Sequence, residues 1–169
     1  VLSVGFQDRP FRVMPEATRK AALERALVLR AAAERIAVPL LLTEVDPRAQ
    51  GRTLALLSHD TAFDHRLLSA WSSEALRERL AALSARDLIL FGIETHIGVA
   101  HTAEDLLAAG YRVHVVVDAC LARREQDADR ALARLDRLGV WITTVDAVIY
   151  SLIDDTRDPA YHDLSRAPR

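Results

Sequence analysis

A single cysteine, Cys120, stands in the 169 residues. It excludes an internal disulfide and fits a reducing compartment, so the chain reads as cytoplasmic. Lysine is almost missing: Lys20 is the one lysine among 22 basic residues, so chemistry that needs an amine has a single candidate. Long hydrophobic runs are lacking too. Stretches such as Val113 to Val117, interrupted by His114 and followed by Asp118, fall far short of the roughly 20 residues of a membrane span. No signal-peptide pattern is expected either. Blocks of like charge are absent: acids and bases are interspersed, the net charge is -2, and aromatics are 5% of residues. Neither nucleic acid nor a membrane is therefore an expected partner. There is no internal repeat, low-complexity tract or linker. With half of its residues apolar, residues 1–169 are read as a single domain with a full core.

What is present is an alternation of short apolar runs with longer segments of helical period, the pattern of βαβ units around a buried parallel sheet. Val1 to Phe6, Val38 to Thr43, Asp87 to Phe91, Arg112 to Val117 and Val140 to Thr143 read as strands. Glu16 to Ile36, Ser73 to Ser84, Thr95 to Ala109 and Glu125 to Leu138 read as helices, with short terminal helices at Val145 to Leu152 and Pro159 to Leu164. Pro15 suits a helix start, Ser72 or Ser73 a cap, and Gly110 and Gly139 the left-handed position after a helix. Leu23 and Leu27 mark the apolar stripe of the first long helix.

Two segments attract functional attention. Glu44 to Trp71 is irregular, carries His59, Asp60, Asp64 and His65, and follows the carboxyl end of a strand. Leu88 to Val99 passes from a buried strand through Gly92 and Gly98 into a helix, and a helix start offers N–H groups to a carboxylate or an oxyanion. Ligands bind above the carboxyl ends of parallel strands, so both segments should face one crevice. His65 beside Asp64 and His59 beside Asp60 are candidate bases, or merely solvated pairs. His96 and His101 are five apart and do not share a helical face as a paired metal site requires. No metal and no cofactor are expected.

Gly92-Ile93-Glu94-Thr95-His96-Ile97-Gly98-Val99, with Thr102, Asp105-Leu106-Leu107 and Gly110, resembles the signature of the isochorismatase-like hydrolases. Val113 to Cys120, Thr144 to Leu164 with Asp158-Pro159, Leu2 to Arg9 and Val38 to Glu44 are similar to further parts of the isochorismatase-domain-containing branch. The resemblance spans nearly the whole chain. It implies a three-layer α/β/α, Rossmann-like fold with a central parallel sheet, assembled as a homo-oligomer.

Members of the cysteine-hydrolase type use an aspartate ending the first strand, a lysine in the second crossover and a cysteine opening the helix after the glycine turn. By this resemblance those positions are Gly5, His65 and Gly98. The thiolate attacks a carbonyl, the carboxylate takes its proton and the lysine tunes both. Glycine does neither of the first two tasks. Cys120 aligns with a cysteine that is not the nucleophile and reads as an inert thiol. The nicotinamidase branch binds metal through Asp-x-His, which Glu44-Val45-Asp46-Pro47 does not reproduce. The resemblance places Gly5, Gln7, Glu44, Glu94, Thr95, His96 and Gly98 at a pocket for a small anionic or carbonyl ligand. It also implies a cis peptide before Glu94 that aims the N–H groups of Glu94 and Gly98 inward. Two readings stay open: a degenerate hydrolase that binds without turnover, or a hydrolase of a small amide or vinyl ether in which His65 or Glu94 acts as acid or base.

Overall fold

The computed structural model describes residues 1–58, 62–153 and 155–165. Its sheet has six strands, all parallel: β1 (Leu2–Val4), β2 (Leu41–Val45), β3 (Phe63–His65), β4 (Asp87–Ile93), β5 (Arg112–Leu121) and β6 (Trp141–Thr143), in the order β3-β2-β1-β4-β5-β6. The helices are α1 (Asp8–Arg12), α2 (Glu16–Arg35), α3 (Pro47–Gln50), α4 (Glu74–Ala82), α5 (Ala100–Ala108), α6 (Glu125–Leu138), α7 (Val145–Leu152) and α8 (Pro159–Ser165). The expected α/β class with a central parallel sheet is what the chain adopts.

Alternation along β4 explains the layers. Leu88 and Leu90 point to one face, where they join Leu2, Val4, Val113 and Val115 with α4, α5 and α6. Ile89, Phe91 and Ile93 point to the other, toward α2, α7 and α8. Both faces of a parallel sheet are buried in this way, which is why its strands read as continuous apolar runs. The buried stripe of α2 is Ala22, Ala26, Leu29, Ala32 and Ala33, whereas Leu23 and Leu27 lie only partly buried beside it. Alanine lets this long helix approach the sheet more closely than the expected leucine stripe would.

Several boundaries differ from the sequence expectation. β1 stops at Val4 because Gly5 turns the chain at φ 63°, and β2 runs two residues further, to Val45. The irregular segment contains the short helix α3 and the strand β3, and Thr53 bridges back to Gln7 in antiparallel sense. Strand β5 extends to Leu121. Its pairing with β4 jumps from Leu90↔Val115 to Gly92↔Cys120, an irregularity that bends the strand's end. Asp118, within that bulge, accepts from Arg25 at 2.9 Å and from Val145 N–H at 2.9 Å, tying α2 and the start of α7 to it. Ser73 sits at the N-cap of α4 without a side-chain cap bond, while Ser69 caps the preceding turn. Gly139 at φ 94° ends α6 as expected.

The strand order sets the position of a site. From β1 the chain moves outward through β2 to β3, then returns to β4 on the opposite side of β1 and continues to β6. The order reverses between β1 and β4, and in open parallel sheets a crevice forms outside the carboxyl ends of the strands flanking that reversal. Those ends are Val4-Gly5 and Ile93-Glu94.

Candidate functional site

A cavity of about 420 Å³ opens at this reversal point. Gly5, His65 and Gly98 all line it, as do Glu94, Arg9 and Arg123. Its remaining walls are largely apolar, from Val4, Val13, Val45, Leu68, Ile93 and Ile97. Phe6 does not fill it: the ring is fully buried in the core, 5.8 Å from Phe91. Trp71 packs edge-on against Tyr111, 5.7 Å away.

The two glycines of the signature turn do different work. A Cβ on Gly92 would fall 2.1 Å from the Val4 carbonyl oxygen, so glycine there is what lets β4 lie against β1. A Cβ on Gly98 would meet nothing nearer than Val4 Cγ1 at 3.4 Å, an ordinary contact. Gly98 faces a space in which a side chain fits.

Between them, Glu94 adopts φ 55° and ψ 63°, a left-handed conformation in a non-glycine residue, which costs roughly 1–2 kcal/mol. This replaces the cis peptide expected before Glu94: among the described residues no peptide bond is cis. The next five residues, Thr95–Val99, form a π-helical turn leading into α5. Such turns are frequent at functional sites. Thr95 is fully buried and its hydroxyl donates to the Leu121 carbonyl at 2.9 Å, anchoring the turn to the bent end of β5. Glu94 Oε1 pairs with Arg123 Nε at 2.5 Å, and its Oε2 is buried without a hydrogen-bond partner. His96 lies between two carboxylates, 3.8 Å from Glu94 and 4.0 Å from Asp127.

His65 is 6% exposed. Its Nδ1 lies 2.7 Å from the Leu67 carbonyl. A carbonyl only accepts, so Nδ1 carries the proton and Nε2 presents a lone pair. Nε2 is buried with no protein partner. Burial lowers the pKa of His65, against weaker opposing effects of the Leu67 carbonyl and Asp64, and so favours this neutral ring.

Gln7 and Glu44 sit close by but have structural occupations. The Gln7 amide donates to Val45 O at 3.1 Å and Gly51 O at 2.6 Å and accepts from Val45 N at 2.9 Å. It staples the loop after β2 to the end of β1. Glu44 accepts from Thr53 N at 2.7 Å, Thr53 Oγ1 at 2.8 Å and Arg52 at 2.8 Å, and borders a separate cleft. Burial pushes the Glu44 carboxyl up, but these hydrogen bonds outweigh it and the pKa is lowered. Thus the cavity gathers Gly5, His65, Glu94 and Gly98 from the sequence-derived set. Gln7, Glu44, Thr95 and His96 stand behind or beside it. His59 and Asp60 lie outside the described residues.

Arg9 and Arg123 were not singled out from sequence. Arg9 lies in α1, where its guanidinium donates to the Ala49 carbonyl. Arg123 follows the bent end of β5. Both come shortly after the carboxyl end of a strand, the signal that could have found them. The apolar run that predicts β5 ends at Val117, four residues short of the strand's end at Leu121, which hides Arg123.

A parallel sheet in this order, with a cavity at its reversal point and a glycine turn along one wall, defines an open, doubly wound α/β protein. The Isochorismatase domain model matches residues 43–147, and the chain belongs to the isochorismatase domain family. It is 33% identical over 137 residues to isochorismatase domain-containing protein 2 of Xenopus laevis, covering 80% of this chain and 67% of that one. It spans only 47% of isochorismatase domain-containing protein 1 of Salmo salar, again at 33% identity. Among solved structures, the MAR1 ribonuclease of Caenorhabditis elegans superimposes with a TM-score of 0.89 at 26% identity, over 99% of this chain and 90% of that one. The YcaC gene product of Escherichia coli, described as an octameric hydrolase of unknown specificity, gives 0.90 at 22% identity over 96% and 84%.

Among the described residues, no helix is long and apolar enough to cross a membrane.

Proposed function

We propose that this chain is a catalytically degenerate member of its family that binds a small anionic ligand in the cavity between β1 and β4. The reading rests on one observation: Gly5, His65 and Gly98, which by resemblance stand where family hydrolases carry carboxylate, amine and thiol, line the same cavity. Two of those positions have no side chain. Replacement from elsewhere is unsupported by geometry, since Lys20 lies in α2 and Cys120 lies within β5 opposite Gly92. Burial pushes the Cys120 thiol up to about 12, the opposite of an activated nucleophile.

Charge supports the anion. Two guanidinium groups, Arg9 and Arg123, face one carboxylate, Glu94, and a neutral His65, leaving one net positive charge beside apolar walls. A monocarboxylate with an apolar body matches that balance. The near-neutral charge of the whole chain favours a small ligand over RNA, so the activity named for the worm relative is not carried over. The same reading takes residues 1–169 as one cytoplasmic domain that self-associates.

The test is titration calorimetry with benzoate, followed by assays on small amides and vinyl ethers. Benzoate is expected to bind the wild type and to lose about tenfold or more in Arg123→Gln, with no turnover of either substrate class. Pocket-dependent hydrolysis would overturn the degenerate assignment. One observation favours that second reading: the unpartnered Nε2 of His65 is in the form a general base requires. In that case His65→Ala or Glu94→Gln would abolish the pH-dependent rate.

A further inference from the structure

The polar groups of the cavity are not equally satisfied. Arg123 is engaged by Glu94 and Arg9 by the Ala49 carbonyl. Two side chains that line it carry buried acceptors with no hydrogen-bond partner, His65 Nε2 and Glu94 Oε2, the latter 3.8 Å from His96 Nδ1. His65 cannot relieve this by turning its proton outward, because Nδ1–H is held by the Leu67 carbonyl at 2.7 Å. A buried acceptor without a donor is unfavourable, and an occupant that brings a donor relieves it.

We propose that the cavity selects small monocarboxylates that also carry an O–H or N–H group, with the carboxylate meeting Arg9 or Arg123 and the donor meeting His65 Nε2. This selection rests on the anion-binding reading and adds a second point of recognition to it. The volume of about 420 Å³ lies in the lower part of the usual range for ligand pockets, roughly 300–1,000 Å³, and suits a body of about one ring against Val4, Val45 and Ile93. A ligand with the carboxylate but no donor leaves His65 uncovered, and a site built around such a hydrogen bond discriminates strongly against the analogue that lacks it.

The experiment is calorimetric titration of the full chain with benzoate, the three hydroxybenzoates, the three aminobenzoates and the corresponding methoxybenzoates. At least one hydroxy or amino isomer is expected to bind about tenfold or more tightly than benzoate and than its methoxy counterpart. The better of the two series distinguishes an O–H from an N–H donor. In His65→Leu that margin collapses while benzoate itself still binds. If benzoate, hydroxy, amino and methoxy acids all bind alike to the wild type, donor selection is wrong and the anion reading stands. The wild-type comparison needs no variant, so misfolding of His65→Leu does not rescue the proposal. A margin that survives in a folded His65→Leu protein also overturns it. Binding of none of the acids overturns both the anion reading and the selection built on it.

Discussion

Gly92 and Val4 are partners across adjacent parallel strands, and the space between them excludes even a methyl group: a Cβ on Gly92 would lie 2.1 Å from the Val4 oxygen and 2.9 Å from its carbonyl carbon. Those are backbone atoms of a central strand, which cannot step aside. Gly92→Ala is therefore expected to destabilise the protein by about 3 kcal/mol or more, the upper end of overpacking costs. Gly98→Ala, whose nearest contact is 3.4 Å, is expected to change stability by less than about 1 kcal/mol. Urea unfolding of the two variants side by side checks the contrast, and equal losses would refute it.

The same difference predicts the behaviour of thiols. Cys120 lies in β5 against Gly92, partly exposed, with desolvation pushing its thiol up to about 12, so native wild-type protein is expected to react with iodoacetamide at neutral pH much more slowly than the unfolded chain. Gly98→Cys places a thiol at the cavity wall, where the φ of residue 98 is not in the left-handed range and space is available. That variant is expected to fold and to be alkylated at residue 98 in the native state, more slowly when benzoate is bound. Mass spectrometry of the labelled peptide reads the outcome. Equally fast labelling of Cys120 in the native and unfolded protein would refute the raised thiol pKa.

The fold was legible because β-branched and apolar runs alternating with helical segments leave few ways to bury both faces of a sheet, and the turn after β4 stood out for its glycines. The segment around Asp46 to His65 was not legible. Its strand β3 has three residues and gains its place only by pairing with β2, a long-range interaction with no local periodicity. The site was half visible. Gly5, His65, Glu94 and Gly98 were found through a motif, whereas Gln7 and Glu44 were read as ligand contacts because sequence does not reveal that loop carbonyls and Thr53 already use their hydrogen bonds. Arg123 depends on the bulge in β5, which no pattern of apolar residues announces.

Glu44 tests that reassignment. Its carboxylate satisfies the Thr53 N–H and hydroxyl while nearly fully buried, so Glu44→Gln is expected to cost about 1–3 kcal/mol at pH 7 with little effect on benzoate binding. The folded carboxyl has a lowered pKa, so its contribution is present above the unfolded value of 4.5 and is lost as pH falls through the folded value. Urea midpoints measured from pH 7 to pH 3 should therefore converge for wild type and variant at the acid end. A constant gap across that range would remove the charge from the argument.

His65 acts in a separate window. Its folded pKa lies below the unfolded value of 6.5, chiefly through burial, with the Leu67 carbonyl and Asp64 opposing. As pH falls below 6.5 the unfolded chain takes up a proton first, so stability drops through the interval down to the folded pKa and the deficit then stays constant. Arg9, Arg123 and Glu94 border the same cavity in wild type and variant alike, so the comparison with His65→Leu isolates the imidazole. The Glu44 contribution is constant above about 4.5 and changes only below it, which separates the two effects. Wild type is expected to lose stability between pH 7.5 and pH 5.5 in excess of His65→Leu. Denaturant unfolding at those two values decides the matter: equal slopes would mean that His65 is solvated and free to charge, and the lone pair assigned to the cavity would not be there to recognise a donor.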